Sequence, residues 1–417
     1  MRPVSGTVKD MTESGARSPR LLRRLNAQTL LRHALTTGDF AAAEAMRASG
    51  LSRATVLGVC DELVAAGWLE EIADSRLGGQ YQRGRPARRY RLREDAGVLV
   101  GVDAGESRFD VAVADLRGTV LAQRHREADP GEVDLDGRRD LVRSLVEEAL
   151  ADPAVQGVPP LVTVIGVPAP VDADGASPED NSAFWSLMNP GVDPGIPGLV
   201  LRENDANLAA LAEHARRPEQ HVATLLTGER FGAGLVVDGR LLHGRRGGAG
   251  EMRFLDLLAA DDPDAGPSDG LGALARRWAR GELERSAEPS VLRDLDPGRL
   301  DAPEVFAAAA AGDALAERIQ RRLGERLAHV AVVLASVLDV ERIVVAGGIA
   351  EAIGPVLAHA RTVLEADFYP PHPELVASTL GRDVIVQGAL EMGLRRIRED
   401  PLALDPGGQS VEVTPSE

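Results

Sequence analysis

The 417-residue chain has one cysteine, Cys60, so it has neither an internal disulfide nor a cysteine-rich zinc cluster. It also lacks any apolar run near the roughly 20 residues that a membrane helix needs. Its opening stretch, MRPVSGTVKDMTESGARSPR, has no apolar core of a signal peptide. These absences predict a cytoplasmic protein with no membrane partner. A surplus of positive charge is missing too: the net is −17, which on its face argues against nucleic acid. Dividing the charge reverses that argument. Residues 1 to 93 carry 16 Lys and Arg against 9 Asp and Glu, a net of +7, and the remainder carries −24. A small basic module ahead of a large acidic one points to double-stranded DNA as a partner of the first, with an inert basic surface as the alternative. The length alone predicts two or three domains.

The basic module reads as three helices and a wing. In LNAQTLLRHALTTG (25–38), Asn26 is a candidate N-cap and Leu30, Leu31, Ala34 and Leu35 recur at helical spacing. A short Ala-rich helix over 39–50 stops at Gly50, with Ala41 where a Ser or Thr cap would be worth about 1 kcal/mol. In the third helix, over 51–67, Ser52 caps the start and Val56, Leu57, Cys60, Leu63 and Val64 share one face. Arg53, Ala54, Thr55 and Gly58 are left on the other, as on a helix that reads a major groove. WLEEIADSRLGGQYQRGRPARRYRL (68–92) predicts two strands joined by a loop bearing Arg85, Arg88 and Arg89. The expected DNA contacts are Ser52, Arg53, Thr55, Arg85, Arg88 and Arg89.

Beyond residue 93 strands alternate with helices, and the cycle of β-meander and helix runs twice. AGVLVGVDAGESRFDVAVADLRGTVLAQRHRE (96–127) holds three strand-like runs, and HVATLLTGERFGAGLVVDGRLLHG (221–244) repeats the plan. A strand at 383–387 and a helix at 388–398 are expected at the end. This predicts a duplicated α/β fold with a cleft between lobes. The expected divisions are a flexible 1–20, a DNA-binding domain 21–93, lobes 94–217 and 218–398, and a disordered acidic tail 399–417.

VDAGES with ADLRG, IGVPAPVDADG, ENDAN, FGAGLVVDGRLLHG, GGAGEM, VVAGGIAEA and STLGRDVIVQGAL occur in an order that resembles the ROK family of repressors and sugar kinases. With the N-terminal module, the resemblance is to a ROK transcriptional regulator. It implies an actin-like, ribonuclease-H-like two-lobed ATPase fold preceded by a winged helix-turn-helix, and a homodimer. It also implies that Asn204, Asp205 and Glu251 bind sugar hydroxyls, with Phe254 able to stack on the ring. In kinase members the aspartate matching Asp205 takes the proton from a sugar hydroxyl as it attacks ATP. The local sequence allows a plain helix cap at Asp205 equally well, and the helix dipole is expected to keep it ionised.

The nucleotide residues implied by the resemblance are Asp103, Gly105, Ser107, Gly228, Gly232, Gly347 and Gly348. Two of its loops depart from the pattern. Glu106 replaces a glycine, and Glu229, Arg230 and Phe231 stand in a second glycine turn, so the carboxylates are expected to repel triphosphate and Phe231 to fill space. Residues 251 to 290 hold no Cys or His, so the zinc site of relatives is not expected. His221 and His243 are read as scattered surface or packing residues. The expected function is a DNA-binding regulator that senses a sugar or related metabolite, without ATP or another cofactor. An active sugar kinase with a fused DNA-binding domain is the alternative.

Overall fold

Leu30, Leu31, Ala34 and Leu35 are all buried along one face of α1 (Pro19–Thr36). The computed structural model describes residues 19–72, 88–178, 183–191, 194–252, 264–266 and 269–404. It begins α1 seven residues ahead of Asn26, which is an interior helical residue and not the cap. Then come β1 (Phe40–Ala41), α2 (Ala42–Ser49), α3 (Arg53–Ala65), β2 (Leu69–Ile72) and β3 (Arg89–Leu92). The strands form an antiparallel sheet in the order β1-β3-β2, with Phe40, Val56, Cys60, Leu63, Trp68 and Tyr90 buried beside it. Burial pushes the Cys60 thiol up to about 12, which makes it an inert core residue. Ala41 gives α2 no side-chain cap, but the Glu44 carboxylate accepts the Ala41 N–H at 2.7 Å, supplying half of a capping box.

The chain divides into two compact units, with boundaries at Ala96/Gly97 and again at Ile397/Arg398. The C-terminal end thus belongs with the first unit. Residues 399–404, expected in a disordered tail, are folded against α1: Asp400 accepts from Gln28 at 2.6 Å and from Arg24 at 2.9 Å. Arg32 donates to the carbonyls of Arg398 and Glu399, and Pro401 is buried. The remaining expected tail, 405–417, and residues 1–18 lie outside the described residues.

In the second unit one strand plan occurs twice. The first sheet has the order β6-β5-β4-β7-β8, built from β4 (Val98–Ala104), β5 (Arg108–Ala114), β6 (Val120–Glu127), β7 (Pro160–Val167) and β8 (Leu199–Asn204). The second has the order β11-β10-β9-β12-β13, from β9 (Val222–Leu226), β10 (Gly232–Val237), β11 (Arg240–Leu241), β12 (Arg342–Ala346) and β13 (Glu374–Ala377). In each, an antiparallel meander is extended by two parallel strands. The β10–β11 turn needs left-handed backbone at both central residues, Asp238 (φ 52°) and Gly239 (φ 69°), which Asp and Gly tolerate.

The helices are α4 (Leu135–Leu150), the short α5 (Ala183–Met188), α6 (Asp205–Arg216), α7 (Leu271–Arg285), α8 (Ala302–Ala310), α9 (Ala314–Leu338), α10 (Gly354–Asp367) and α11 (Val384–Glu399). Two of them cross between lobes. α6 follows the first sheet but packs on β9 and β10 of the second, where a Cβ on Gly234 would stand 2.1 Å from the Ala206 carbonyl oxygen. α11 follows the second sheet but lies on the first, where a Cβ on Gly101 would meet the Val386 carbonyl at 2.9 Å. The strand expected at 383–387 is the first turn of α11. Val384 and Val386 are buried there, and packing overrides the strand preference of β-branched residues. Among the described residues no helix is long and apolar enough to cross a membrane.

Candidate functional site

Strand β4 ends by delivering Asp103 into the space between the lobes. Its side chain is 7% exposed, and Oδ1 has no hydrogen-bond partner. Burial, then the negative charges of Asp205 and Asp110, push its pKa well above the usual carboxylate range. Asp110 itself is held by Arg108 through two hydrogen bonds, of 2.6 and 2.8 Å.

Asp205 is the first residue of α6 and not its cap. Asn204 takes the cap, accepting the Asn207 N–H at 3.1 Å, while its own amide donates to the Ala169 carbonyl. Asp205 accepts the neighbouring Ala206 N–H at 2.7 Å. Its pKa is nonetheless raised to about 7, chiefly by burial, with Glu251 adding negative charge. Burial thus offsets the helix dipole expected to keep it ionised, and at neutral pH such a carboxyl is about half ionised. A dipole contributes about 1 kcal/mol, whereas a rise of this size corresponds to roughly 4 kcal/mol.

Glu203, the residue before this pair, was not singled out in the sequence. It is 3% exposed and fully engaged: Oε1 accepts from the Asn204 N–H (2.8 Å) and Asn207 Nδ2 (2.9 Å), and Oε2 meets His243 Nε2 at 2.8 Å. The Glu203 hydrogen bond raises the His243 pKa. His243, half exposed, is thus tied to the buried carboxylate that precedes Asn204 and Asp205. Forty positions separate the two, and only the fold brings them together. The segment after His243 returns across the lobes: a Cβ on Gly247 would fall 1.9 Å from the Val171 carbonyl oxygen. Glu251 ends this segment, and Phe254 lies outside the described residues.

The second loop corrects two readings. Glu229 is not an unmatched charge, because Arg276 of α7 binds it through two hydrogen bonds of 2.6 and 2.8 Å and also reaches Asp301 at 3.0 Å. Phe231 does not fill the cleft. It is 4% exposed and packs in the second-lobe core with Leu271, Leu274 and Trp278. Arg230 turns instead toward the first lobe, with its guanidinium carbon 3.6 Å from the centre of the Phe184 ring.

A cavity of about 920 Å³ lies between the two loops. Of the expected nucleotide residues, Asp103, Ser107, Gly228, Gly347 and Gly348 line it together with Arg108 and Arg382, whereas Gly105 and Gly232 do not. Gly232 opens β10, with room for a Cβ only against Ala206. Asn204, Asp205 and Glu251 lie apart from the cavity wall, and Asp205 couples to it through the charge it imposes on Asp103. Among the described residues no three His, Cys, Asp or Glu side chains gather as a metal-ligand group.

In the first unit, Ser52 caps α3 by accepting the Thr55 N–H at 3.3 Å, and the two hydroxyls bond to each other at 2.9 Å. Arg53 is exposed on the first turn. Arg88, expected to face DNA, is bound instead by Asp61 and Glu71, each at 2.6 Å, and lies over Tyr90. Arg89 donates to the Asp39 carbonyl at 3.2 Å. Arg85 lies outside the described residues. Arg88 thus joins α3 to β2, and its exposed setting limits the pair to about 1 kcal/mol. Arg88→Ala is expected to lower the urea midpoint slightly and to leave the salt dependence of any DNA binding unchanged; a flatter salt slope would return Arg88 to the DNA surface.

One sheet plan repeated across a cleft, with acidic and glycine-bearing loops at its mouth, defines an actin-like α/β fold of the sugar-kinase type. The chain belongs to the ROK family, which residues 99–395 match. It is 27% identical over 319 residues to a glucokinase of Thermotoga maritima, covering 72% of this chain and 98% of that protein. It is 24% identical over 254 residues to a xylose repressor of Caldicellulosiruptor bescii, covering 58% of this chain and 61% of the repressor. A solved ROK family transcriptional regulator, a homologue of the E. coli MLC protein, superposes with a TM-score of 0.67 at 22% identity, covering 90% of this chain and 98% of that one.

Proposed function

We propose that the protein is a DNA-binding transcriptional regulator whose two-lobed unit takes a sugar or a related small metabolite as effector. The observation that carries this reading is the first unit. The glucokinase is almost fully matched by 72% of this chain, whereas the likeness to the regulator extends over 90%. The first unit, three helices on a three-stranded sheet, is a winged helix-turn-helix with α3 as its recognition helix and Arg53 at the end that enters a major groove. The effector acts by binding one arrangement of the lobes more tightly than another, since equal affinity shifts nothing. Two copies read a pseudo-palindromic operator as a homodimer.

The test uses a duplex selected by the wild-type protein from a random pool, with anisotropy measured over a series of salt concentrations. Arg53→Ala is expected to weaken binding about tenfold and to lower the salt slope by about one phosphate contact. A wild-type protein that selects no duplex, or an Arg53→Ala protein with unaltered affinity and slope, overturns the placement of the DNA surface.

A second reading, an ATP-dependent sugar kinase, is favoured by one specific observation. Asp205 has a pKa of about 7, which suits a general base at neutral pH. ATP-dependent phosphorylation of a sugar that disappears in Asp205→Asn would establish it.

A further inference from the structure

Arg245 and Arg246 are two adjacent cations that the readings above leave unused. They stand in the segment that leads from β11 to Glu251, and both are exposed. Among the described residues neither guanidinium has a hydrogen-bond or ion-pair partner. Other arginines of the same unit bind carboxylates, as Arg108 does with Asp110, Arg276 with Glu229 and Arg285 with Asp264. The free pair belongs to a stretch, residues 94 to 417, with a net charge of −24. An anion approaching so acidic a body is repelled unless local cations meet it.

The backbone ties this pair to the site. On one side His243 meets Glu203 at 2.8 Å, and Glu203 immediately precedes Asn204 and Asp205. On the other side Glu251 lies near enough for its charge to act on Asp205. Between them the Ala249 N–H donates to the His243 carbonyl at 3.1 Å and closes the turn, while Gly247 packs against Val171 of the first lobe. A loop held at both ends and packed in its middle has little freedom to carry its arginines away. Arg245 is two residues from His243, so their Cα atoms lie within about 7 Å of each other. Floor and loop then suit different parts of one ligand. The oxygens of Asn204, Asp205 and Glu251 accept from hydroxyl groups, whereas a guanidinium offers a planar fork of donors that matches paired phosphate or carboxylate oxygens.

We infer that the effector is an anionic polyol, a sugar bearing one phosphate or carboxylate group. Its hydroxyls meet Asn204, Asp205 and Glu251, and its anionic group is held by Arg245 and Arg246. The inference rests on the sugar-effector reading and narrows it, because a neutral sugar leaves both arginines unmatched. The two arginines thereby set specificity by charge, while the buried carboxylates below them recognise the sugar itself.

Calorimetry on the full chain compares glucose, mannose and galactose with their 6-phosphates and with the corresponding uronic acids. The proteins are wild type, Arg245→Ala/Arg246→Ala and Arg245→Lys/Arg246→Lys. For at least one sugar, wild type is expected to prefer an anionic form to its neutral parent by about tenfold at low salt, and the preference should shrink as salt rises. The alanine variant should lose the preference, and the lysine variant should keep part of it, having the charge without the fork. Whether the phosphates or the uronic acids bind more tightly identifies the anionic group. A wild-type preference for neutral sugars, or a preference that survives in the alanine variant, overturns the inference and leaves the sugar-effector reading standing. No binding of any of these compounds at millimolar concentration overturns both. Weaker duplex binding by the alanine variant, with its sugar preference intact, assigns the arginines to the DNA surface and likewise overturns the inference.

Discussion

Asp205→Asn is expected to stabilise the protein at pH 8 while abolishing whatever the site does with a proton. The carboxyl has a folded pKa of about 7 against an ordinary value of 3.8. The folded state therefore holds its proton more tightly than the unfolded chain does. Below about pH 4 the group is protonated in both states and has no effect on stability. As pH rises from 4 to 7 the unfolded state gains by ionising first, and above 7 the penalty is complete. Three pKa units correspond to about 4 kcal/mol as an upper limit, and partial solvent access reduces this to roughly 2 kcal/mol. Asparagine keeps an oxygen for the Ala206 N–H and removes the charge that also pushes on Asp103. Chemical denaturation of both proteins at pH 4.5, 6 and 8 checks this. The variant's advantage should grow through that range, and a constant or reversed difference would show that Asp205 is ionised in the folded protein at all three pH values.

Stability given up at one buried carboxylate follows from its setting, which neither motif nor cap could reveal. ENDAN in the sequence located Asp205 at a helix start, and the duplicated strand plan was legible from the two meanders. The charge state was not legible, because burial is set by strands and helices distant in sequence. The same limit explains the second loop. Glu229 and Phe231 look like damage when only their own loop is considered, yet Arg276, 47 positions on, matches the one and the second-lobe core absorbs the other. Arg88 in GRPARR reads as a DNA contact, and only the fold shows that Asp61 and Glu71 also reach it. Periodicity reports which face of an element is apolar, but partners across the fold decide whether a charge is free.

Gly388→Ala is expected to be among the most damaging single-methyl substitutions in the chain. α11 crosses α6 at this residue, and an added Cβ would stand 1.9 Å from the Leu208 carbonyl oxygen. Alanine gains about 1 kcal/mol over glycine in a helix interior, but backbone cannot yield as a side-chain tip does, and overpacking of this kind costs about 3 kcal/mol or more. The same change at Gly58, inside α3 with no atom within 4 Å of the added methyl, should stabilise by up to about 1 kcal/mol. Opposite signs in urea unfolding would confirm that packing and not propensity governs Gly388. The consequence for the site follows from connectivity. Leu208 lies three residues after Asp205 on α6, while α11 rests on the sheet that carries Asp103. Forcing the two helices apart must change the Asp103–Asp205 separation. Gly388→Ala protein that remains folded should therefore lose affinity for any ligand of the cleft, and retention of wild-type affinity would show that the crossing does not set the site.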